Sequence, residues 1–405
     1  MKKNWQKFVF IFLAILIVYL PFQVFAQEFL FNVCHFSAGT SFWLAHWYEF
    51  FILLFFLVRI KKHLSSGRVI ALILIVFGLI SAVFLSKSAG RGIEGFRFDL
   101  FFLLTLFIAS DLPEKLSQSL IKIYLVLAGL ISAWAIVERF LPVHYWQKLL
   151  NFSPDFGFGN YFVGLTPRSD SIFNGPSQLS NYLLLAAGLV LVRIARAKKF
   201  NWTDYLYYMI IILGLGFAYS RAAWIGLAVI VLLTLIFVFK SWSVRFKIIF
   251  ISIIVMLIPI LSVKTVSGGS ATASILTHDT SQVSHEIAAT TTLTEMKKRL
   301  RQPVKLLFGS GLSSAGPLVL KYHDGLISES WYLQILLEIG VIGLVCWLWL
   351  IVVLFLDMIK KNTGLAYGLI AVSIAAIFLH TFADSPATSW TLFALIGANL
   401  GKKDE

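Results

Sequence analysis

Runs of about twenty apolar residues recur along the whole chain, and no other feature limits its fold so strongly. A helix needs about 20 apolar residues to cross the roughly 30 Å hydrocarbon core of a bilayer. Of the 405 residues, 59% are hydrophobic and 13% are charged, whereas a soluble protein is about 45–50% apolar and about 25% charged. The pattern predicts an all-α polytopic membrane protein with a single transmembrane domain over residues 1–405. It excludes soluble enzymes, nucleic-acid binders and disulfide scaffolds.

Twelve segments are predicted to cross the membrane. They are residues 8–26, 41–58, 69–86, 98–110, 119–138, 177–195, 205–219, 222–239, 248–263, 332–356, 365–383 and 388–400. The fourth, seventh and last are short, which favours tilted or partly re-entrant helices. The first segment is similar to a signal peptide, but its apolar run exceeds the usual length of about 7–15 residues and FQVFAQ is a poor cleavage site. We therefore expect it to be a membrane anchor.

The distribution of Lys and Arg predicts the orientation, because these residues collect in cytoplasmic loops. With the N-terminus inside, 20 of the 34 Lys and Arg residues fall in cytoplasmic segments, and half of the other 14 lie in one long segment at 264–330. Long loops follow the rule poorly. The net charge of +14 thus indicates topology before it indicates nucleic-acid binding. We expect both termini on the cytoplasmic side.

Two external segments, 140–176 and 264–330, are much longer than the others, which is typical of functional or disordered loops. Residues 144–152 suit a helix lying in the membrane interface, and residues 293–308 have helical spacing with a basic face. The polar part at 264–290 has a composition typical of disorder before substrate binds. No pair of interrupted helices relates the two halves of the chain, which counts against many transporter folds.

The two cysteines, Cys34 and Cys346, fall at different predicted membrane depths and lack metal-ligand spacing. We therefore expect neither a disulfide between them nor a bound metal.

Arginines in external loops are unusual, because Lys and Arg normally collect on the cytoplasmic side. Each external arginine is therefore a candidate functional residue. Arg221 lies in a short turn between spans seven and eight, where a guanidinium can hold a phosphate through paired hydrogen bonds; the alternative is an anchor that snorkels to the interface. Arg168 precedes span six, whose predicted N-terminus at residues 174–176 favours a nearby anion. The alternative for Arg168 is a surface ion pair with Asp170.

A basic helix is predicted at the end of the large external loop. Its charged residues are Lys297, Lys298, Arg299, Arg301 and Lys305. This face is either solvated or folds over anionic lipid headgroups or a diphosphate.

The start of span ten carries the candidate catalytic groups. Glu329 lies where the loop enters the span, and a carboxylate among apolar neighbours there is suited to act as a general base. Glu338 is deeper in the same helix, where an ionisable group is a candidate functional residue unless a neighbouring arginine pairs with it. The other candidates on this side are His285, His323 and Asp324, with Tyr332 in a supporting role.

Four stretches of sequence stand in a recognisable order. They are PRSDSIFNGPSQLSNYLLL at span six, YSRAAWIGLAV at span eight, LFGSGLSSAGP in the large loop and SESWYLQILLEIGVIGL at span ten. In this order and topology they resemble the O-antigen ligase and O-antigen polymerase family of bacterial envelopes. The resemblance covers roughly residues 160–345.

The resemblance implies a C-type glycosyltransferase that is metal-independent, needs no cofactor and inverts the anomeric centre. Its donor would be a glycan on undecaprenyl diphosphate. Arginines would bind the diphosphate leaving group, and a side chain on the outer face would deprotonate the acceptor hydroxyl. Arg221 matches the diphosphate-binding arginine of the family.

The chain departs from the family pattern at two places. The second diphosphate-binding arginine has no unambiguous counterpart; Arg299 and Arg301 are nearest but lie close to the Gly-x-Gly stretch. Ligases typically carry His-Asn where this chain has Glu329 and Ser330. Glutamate can serve as the base, and His323 or His285 is an alternative source of an imidazole.

The sequence therefore predicts a ligase or polymerase of surface polysaccharide in the bacterial cytoplasmic (inner) membrane, with its active site facing the periplasm or exterior. The expected partners are the lipid-linked donor, a glycan or lipid-linked acceptor and membrane lipids, with no nucleic acid. Two alternatives stay open. One is a transporter or flippase of lipid-linked glycans without covalent chemistry, and the other is a non-catalytic scaffold of an envelope assembly.

Overall fold

The computed structural model describes residues 2–59, 65–110, 112–153, 155–197, 201–239, 242–264, 279–323 and 325–401. Helices α1 to α20 of these residues are, in chain order, Lys2–Tyr19, Gln23–Asn32, Ala38–Ala45, Trp47–Arg59, Ser66–Ile80, Ala89–Asp99, Thr105–Ala109, Glu114–Val137, Tyr145–Leu150, Pro176–Arg196, Trp202–Phe217, Arg221–Phe237, Trp242–Leu261, Asp279–Arg299, Pro303–Phe308, Val319–Tyr322, Trp331–Lys361, Thr363–Ala375, Thr381–Asp384 and Pro386–Leu400.

Short turns of tighter or wider helix extend several of these elements. They are the 3-10 turns Leu20–Phe22, Phe101–Leu104 and Glu138–Phe140 and the π-helical turn Ser81–Leu85. Two strands, β1 (Phe162–Val163) and β2 (Thr166–Pro167), form an antiparallel hairpin in which Val163 pairs with Thr166. The described part of the chain is otherwise helix and loop, which confirms the predicted all-α class.

Six helical stretches are long and apolar enough to cross a membrane. They are Asn4–Asn32, Ser66–Leu85, Glu114–Phe140, Pro176–Arg196, Trp242–Leu261 and Trp331–Lys361. Helices α3 and α4 together make a seventh, bent by 43° at the break between them, and α11, α12 and α18 are shorter apolar helices. The chain is therefore a helical membrane protein with six or seven full-length spans among its described residues.

Most predicted spans coincide with one of these helices, but several predicted segments are interrupted, among them 41–58 at the bend between α3 and α4. The predicted span 98–110 consists of the end of α6, a 3-10 turn and α7. The predicted span 365–383 divides into α18 and the short α19. The first predicted span also continues through a 3-10 turn at Pro21 into α2.

Helices α10 and α20 form the centre of the bundle, because nearly every residue of both is buried. Helix α13 lies at the periphery and exposes large apolar side chains such as Phe246 and Phe250, as a lipid-facing helix must. Helix α10 packs closely on α18: a Cβ at Gly188 would lie 3.1 Å from the backbone of Gly364 and of Gly368. Small residues allow this close approach of membrane helices, whose association gains little from the hydrophobic effect.

Helix α17 breaks at Gly340, where the backbone adopts φ 72° and ψ −172°. The break leaves backbone carbonyls without partners inside the helix, and lipid cannot supply them. The loop at residues 309–311 supplies them instead: Ser310 N donates to Leu337 O and Gly311 N donates to Glu338 O, both at 3.0 Å. The apolar run at 332–356 predicts a continuous helix, and in that respect the prediction is wrong.

The long loops also contain helices. The predicted interfacial helix at 144–152 corresponds to α9. The predicted basic helix at 293–308 is two helices, the end of α14 and α15, with Pro303 at the first position of α15. Of the polar stretch 264–290, residues 265–278 lie outside the described residues, whereas 279–290 belong to α14. The expectation of disorder is therefore wrong for residues 279–290.

Gly340→Ala is predicted to lower stability strongly. A Cβ at this position would lie 2.2 Å from Leu307 O, and the positive φ disfavours any side chain. Strain and overpacking together should cost about 2 kcal/mol or more. The matched control is Gly90→Ala in α6, because no atom lies within 4 Å of a Cβ there.

Thermal unfolding of the purified protein in detergent, followed by tryptophan fluorescence, measures both variants. We expect a clear drop in the apparent Tm for Gly340→Ala and almost none for Gly90→Ala. Equal Tm values for the two variants would contradict the proposed contact at the helix break.

Candidate functional site

The β1–β2 hairpin lies across the ends of two helices and so brings distant segments together. Leu165 N donates to Lys264 O at 2.9 Å, beyond the end of α13. Ser169 N donates to Phe217 O at 3.0 Å, at the end of α11. Arg168 lies between these anchors, and its Nε donates to Ala218 O at 2.9 Å. The hydrogen bond attaches Arg168 to the turn that leads into α12.

Arg221 is the first residue of α12 and is half-buried. The turn before it is fixed by Tyr219, whose hydroxyl donates to Pro259 O at 2.9 Å and contacts Ser262 Oγ at 2.8 Å. The turn therefore has anchors on α13 and, through Ala218, on Arg168. Arg168 and Arg221 therefore lie at the same turn, although they are 53 positions apart in the sequence.

The two guanidinium groups interact electrostatically. Burial is the main cause that lowers the pKa of Arg168, to about 10; the Tyr161 phenol opposes this shift, and the positive charge of Arg221 adds to it. Arg168 still carries its charge at neutral pH. Among the described residues, its only side-chain hydrogen bond is the one from Nε, so the two terminal nitrogens remain as donors. Two interacting cations, of which Arg168 keeps its terminal nitrogens as donors, favour an anion such as a phosphate.

Asp170 does not form the surface ion pair with Arg168 that we considered from the sequence. Its side chain is only 1% exposed, and neither carboxylate oxygen accepts a hydrogen bond from a residue that the structure describes. Burial, together with the neighbouring Glu138 carboxylate, raises the pKa of Asp170 well above its usual value. Asp170 therefore forms no direct ion pair with Arg168.

Glu329 has a second carboxylate beside it, on the short helix α19. Burial and the charge of Glu329 raise the pKa of Asp384 to about 6. Protein atoms surround Asp384 on most sides and limit its hydration. Its exposed surface faces a cavity within the protein. One member of such a pair holds a proton more readily than an isolated carboxyl group does. This arrangement suits a proton acceptor at neutral pH.

Tyr161 joins the arginine pair to the carboxylate pair. Its phenol interacts electrostatically with Asp384, Asp170 and Arg168. Burial raises the pKa of Tyr161, the two carboxylates raise it further, and Arg168 opposes the shift. The two arginines, Tyr161 and the two carboxylates therefore form one cluster at one end of the bundle. We call Arg168, Arg221, Tyr161, Glu329 and Asp384 the polar cluster.

Three residues in or next to the polar cluster have a strained backbone. Ser171, Tyr219 and Glu329 all have positive φ, at 59°, 48° and 58°. Residues other than glycine rarely adopt this conformation, which costs about 1–3 kcal/mol each and is typical of functional sites. At Glu329 the conformation directly precedes α17 and determines where the carboxylate lies.

A cavity of about 440 Å³ opens beside the cluster and has Asp384 in its lining. Its walls come from the 3-10 turn after α1, from α2, α3, α4, α6, α19 and α20, and from the loop before α10 and the start of α10. Pockets of about 300–1,000 Å³ are typical of ligand sites. Asp384 is thus accessible from a space that can hold a ligand.

Arg299 and Glu338 belong to the helix break rather than to the polar cluster. Arg299 is 5% exposed, and its Nη1 donates to Leu337 O at 2.6 Å. Glu338 accepts from Ala315 N at 3.1 Å and lies in hydrogen-bond contact with Asp99. The arginine partner that the sequence suggests for Glu338 is near it, but the direct contact is with another carboxyl group.

The remaining sequence candidates lie elsewhere. Among described residues, exposed Arg301 and His323 form no side-chain hydrogen bond or ion pair. Tyr332 ties α17 to α18 by donating to Ser373 O at 2.8 Å. His285 is in α14, but its side chain, like all of Asp324, lies outside the described residues.

The sequence analysis did not single out Asp384 or Tyr161. Asp384 stands alone between two apolar segments, directly before Pro386 at the start of α20. An isolated carboxylate at the edge of a predicted span is a signal that could have indicated it. Tyr161 carries no such signal, because only the hairpin fold brings it to the cluster.

No group of three or more His, Cys, Asp and Glu in the described residues is arranged to hold a metal ion. No family model matches this chain, and a search of curated proteins gives no match either. The resemblance to the O-antigen ligase family therefore stays a prediction.

The pairing of Glu329 with Asp384 predicts a measurable titration. The protonated carboxyl of Asp384 should titrate near pH 6, and Glu329→Gln should lower that midpoint because it removes the neighbouring negative charge. Infrared difference spectroscopy of the carboxyl stretch across pH 4–8 measures it, with Asp384→Asn identifying the band. A midpoint that Glu329→Gln leaves unchanged would show that the two groups do not interact.

Proposed function

We propose that the protein is an O-antigen ligase-like glycosyltransferase. It would transfer a glycan from undecaprenyl diphosphate to a sugar hydroxyl, as a ligase or polymerase of surface polysaccharide. The observation that carries the proposal is the polar cluster, in which two arginines and two carboxylates from four separate segments lie together beside a cavity. Three of these four residues, Arg168, Arg221 and Glu329, come from stretches that carry the resemblance.

The arginines suit the leaving group. In an inverting transfer, the bond between the anomeric carbon and the phosphate oxygen breaks, and its electron pair leaves with the diphosphate. Negative charge then grows on that oxygen in the transition state, and fixed cations nearby stabilise it. Arg168 and Arg221 would bind the diphosphate from two sides. Arg168 is held in advance by its hydrogen bond to Ala218, which reduces the entropy lost on binding.

The carboxylates suit the acceptor. Its hydroxyl oxygen attacks the anomeric carbon from the face opposite the leaving group and loses its proton. Glu329 would take that proton as general base. Asp384 would then share it, because the two carboxyl groups interact. Asp384, which lines the cavity, would link the base to that space.

The proposal includes an orientation. We infer twelve crossings in the bacterial cytoplasmic membrane: the seven full-length spans, the shorter helices α11, α12, α18 and α20, and the interrupted segment formed by the end of α6, a 3-10 turn and α7. Both termini would lie in the cytoplasm and the polar cluster would face the periplasm or exterior. The clustering of the long loops at the same end as Arg168 and Glu329 supports this orientation.

The second candidate is a transporter or flippase of lipid-linked glycans without covalent chemistry. The broken helix α17, with buried Glu338 and Asp99 close to its break, favours it. Broken helices with ionisable groups are common in transporters. The break, however, is filled by residues 309–311 and Arg299, so it lacks the open site that a transported group needs.

Arg221→Ala and Glu329→Gln are predicted to abolish most transfer activity. Loss of one cation at the leaving group should reduce kcat by about 10²–10³-fold, and loss of the base by about 10²–10⁴-fold. The assay uses purified protein in lipid nanodiscs with a defined polyprenyl-diphosphate glycan and an acceptor glycan. It measures both the transferred product and the released polyprenyl diphosphate.

The matched control is Lys148→Ala, which removes an exposed cation from α9, in the long loop that also carries Arg168. It should retain full activity. If the wild-type protein releases no polyprenyl diphosphate but moves the donor across the bilayer, the flippase is the better function. Transfer that survives both Arg221→Ala and Glu329→Gln would overturn the assigned roles.

A further inference from the structure

The cavity beside the polar cluster has a chemically distinctive lining. Aromatic rings of Phe42, Phe98 and Trp390 contribute apolar faces, and Asn174 and Gln178 contribute amides. Apolar rings with a few placed hydrogen-bonding groups suit a sugar, whose ring has apolar C–H faces and polar hydroxyl edges.

Three buried polar residues of the lining, Gln23, His46 and Tyr48, are uncharged. His46 Nδ1 lies 2.7 Å from Phe42 O, and a carbonyl oxygen can only accept, so Nδ1 carries the proton. His46 Nε2 lies 2.6 Å from Gln23 Nε2 and accepts from it, while Tyr48 donates to Gln23 Oε1 at 3.1 Å. This arrangement uses the imidazole as donor and acceptor at once, which only its neutral form allows.

The charged groups of the cavity are mostly acidic. Among described residues, its lining contains four carboxylates, those of Glu28, Glu49, Asp155 and Asp384, and one guanidinium, that of Arg97. Arg97 is already paired with Glu49 at 2.8 Å and stacks 4.5 Å from the Phe42 ring. No lining cation is thus left over for an anionic ligand, and the remaining carboxylates repel one.

The position of Asp384 indicates that the cavity would hold the acceptor rather than the donor. It lines the cavity and interacts with Glu329, the proposed base. A sugar in the cavity would therefore present its hydroxyl to the carboxylate pair, as an acceptor must. The donor diphosphate belongs instead near Arg168 and Arg221, which are absent from the described lining.

We propose that this cavity is the acceptor-glycan subsite and that it selects uncharged sugars over anionic ones such as uronates. The inference rests on the proposed glycosyl transfer, whose acceptor it specifies. Repulsion from two or three uncompensated carboxylates should reduce use of a uronate by about tenfold or more at low salt. High salt should reduce that preference, because screening shortens the range of the repulsion.

Paired acceptors in the nanodisc assay test this subsite. One is a neutral trisaccharide and the other is the same trisaccharide with its terminal C6 oxidised to a carboxylate. We expect kcat/KM at least about tenfold higher for the neutral acceptor. Asp155→Asn should reduce the ratio of kcat/KM for the neutral acceptor to that for the uronate. Asp357→Asn, which removes a carboxylate from α17 outside the cavity lining, should leave this ratio unchanged.

Binding without turnover separates this inference from the proposed chemistry. Each trisaccharide is titrated into the wild-type protein and into Trp390→Phe, and tryptophan fluorescence is measured. A change for the neutral sugar alone, lost in Trp390→Phe, supports the subsite. If that change occurs without any transfer, the subsite stands and the proposed chemistry fails.

Two results overturn the inference. Transfer to both acceptors with equal kcat/KM would show that the cavity does not select by charge, although the proposed function would stand. Absence of both transfer and Trp390-dependent binding would overturn the subsite and the transferase together.

Discussion

The break in α17 is the constraint on which the rest of the structure depends. A helix interrupted inside an apolar span frees carbonyl groups that lipid cannot satisfy, and each would cost several kcal/mol if left alone. Residues 309–311 and Arg299 donate to the freed carbonyls of Leu337 and Glu338. The large loop is therefore held on the bundle by backbone hydrogen bonds, and Glu329, at the other end of the same loop, is placed by that attachment. Arg299 is buried because it donates a hydrogen bond to Leu337 O at the break, so its burial needs no phosphate ligand.

A second attachment places the arginines. The hairpin binds across α11 and α13, so Arg168 reaches the turn before α12 and lies beside Arg221. Two like charges would separate in a flexible loop, and the fixed backbone prevents this. The strained residues Ser171 and Tyr219 adjoin these two arginines. Strain and charge repulsion are both unfavourable in the unliganded protein, and an anion between the guanidinium groups would relieve the second of them. The arrangement is therefore preorganised for an anion, which in the proposed function would be the diphosphate.

The sequence predicts the membrane helices well and the interruptions poorly. The predicted span 177–195 differs from α10 by one residue at each end, because its apolar run and Pro176 coincide with the helix limits. The same hydropathy cannot reveal the break at Gly340, since glycine also occurs within unbroken membrane helices and the φ of 72° depends on the loop that docks there. Of the polar cluster, Arg168, Arg221 and Glu329 are identifiable from sequence as charges at the ends of spans. Asp384 and Tyr161 join them only through tertiary contacts, which no local pattern encodes.

The polar cluster and the cavity divide the charges in a way that bears on the choice between transfer and transport. The cations lie with the hairpin, and the carboxylates line the neighbouring space. A carrier must bind and release one whole molecule, so opposite charges at two ends of its site would hold the cargo and slow its release. A transferase benefits from the same division, because its substrate separates into an anionic leaving group and an uncharged product. In the proposed transfer, the positive end would stabilise the diphosphate as the bond breaks, while the acidic end would accept the proton and repel the anion just formed.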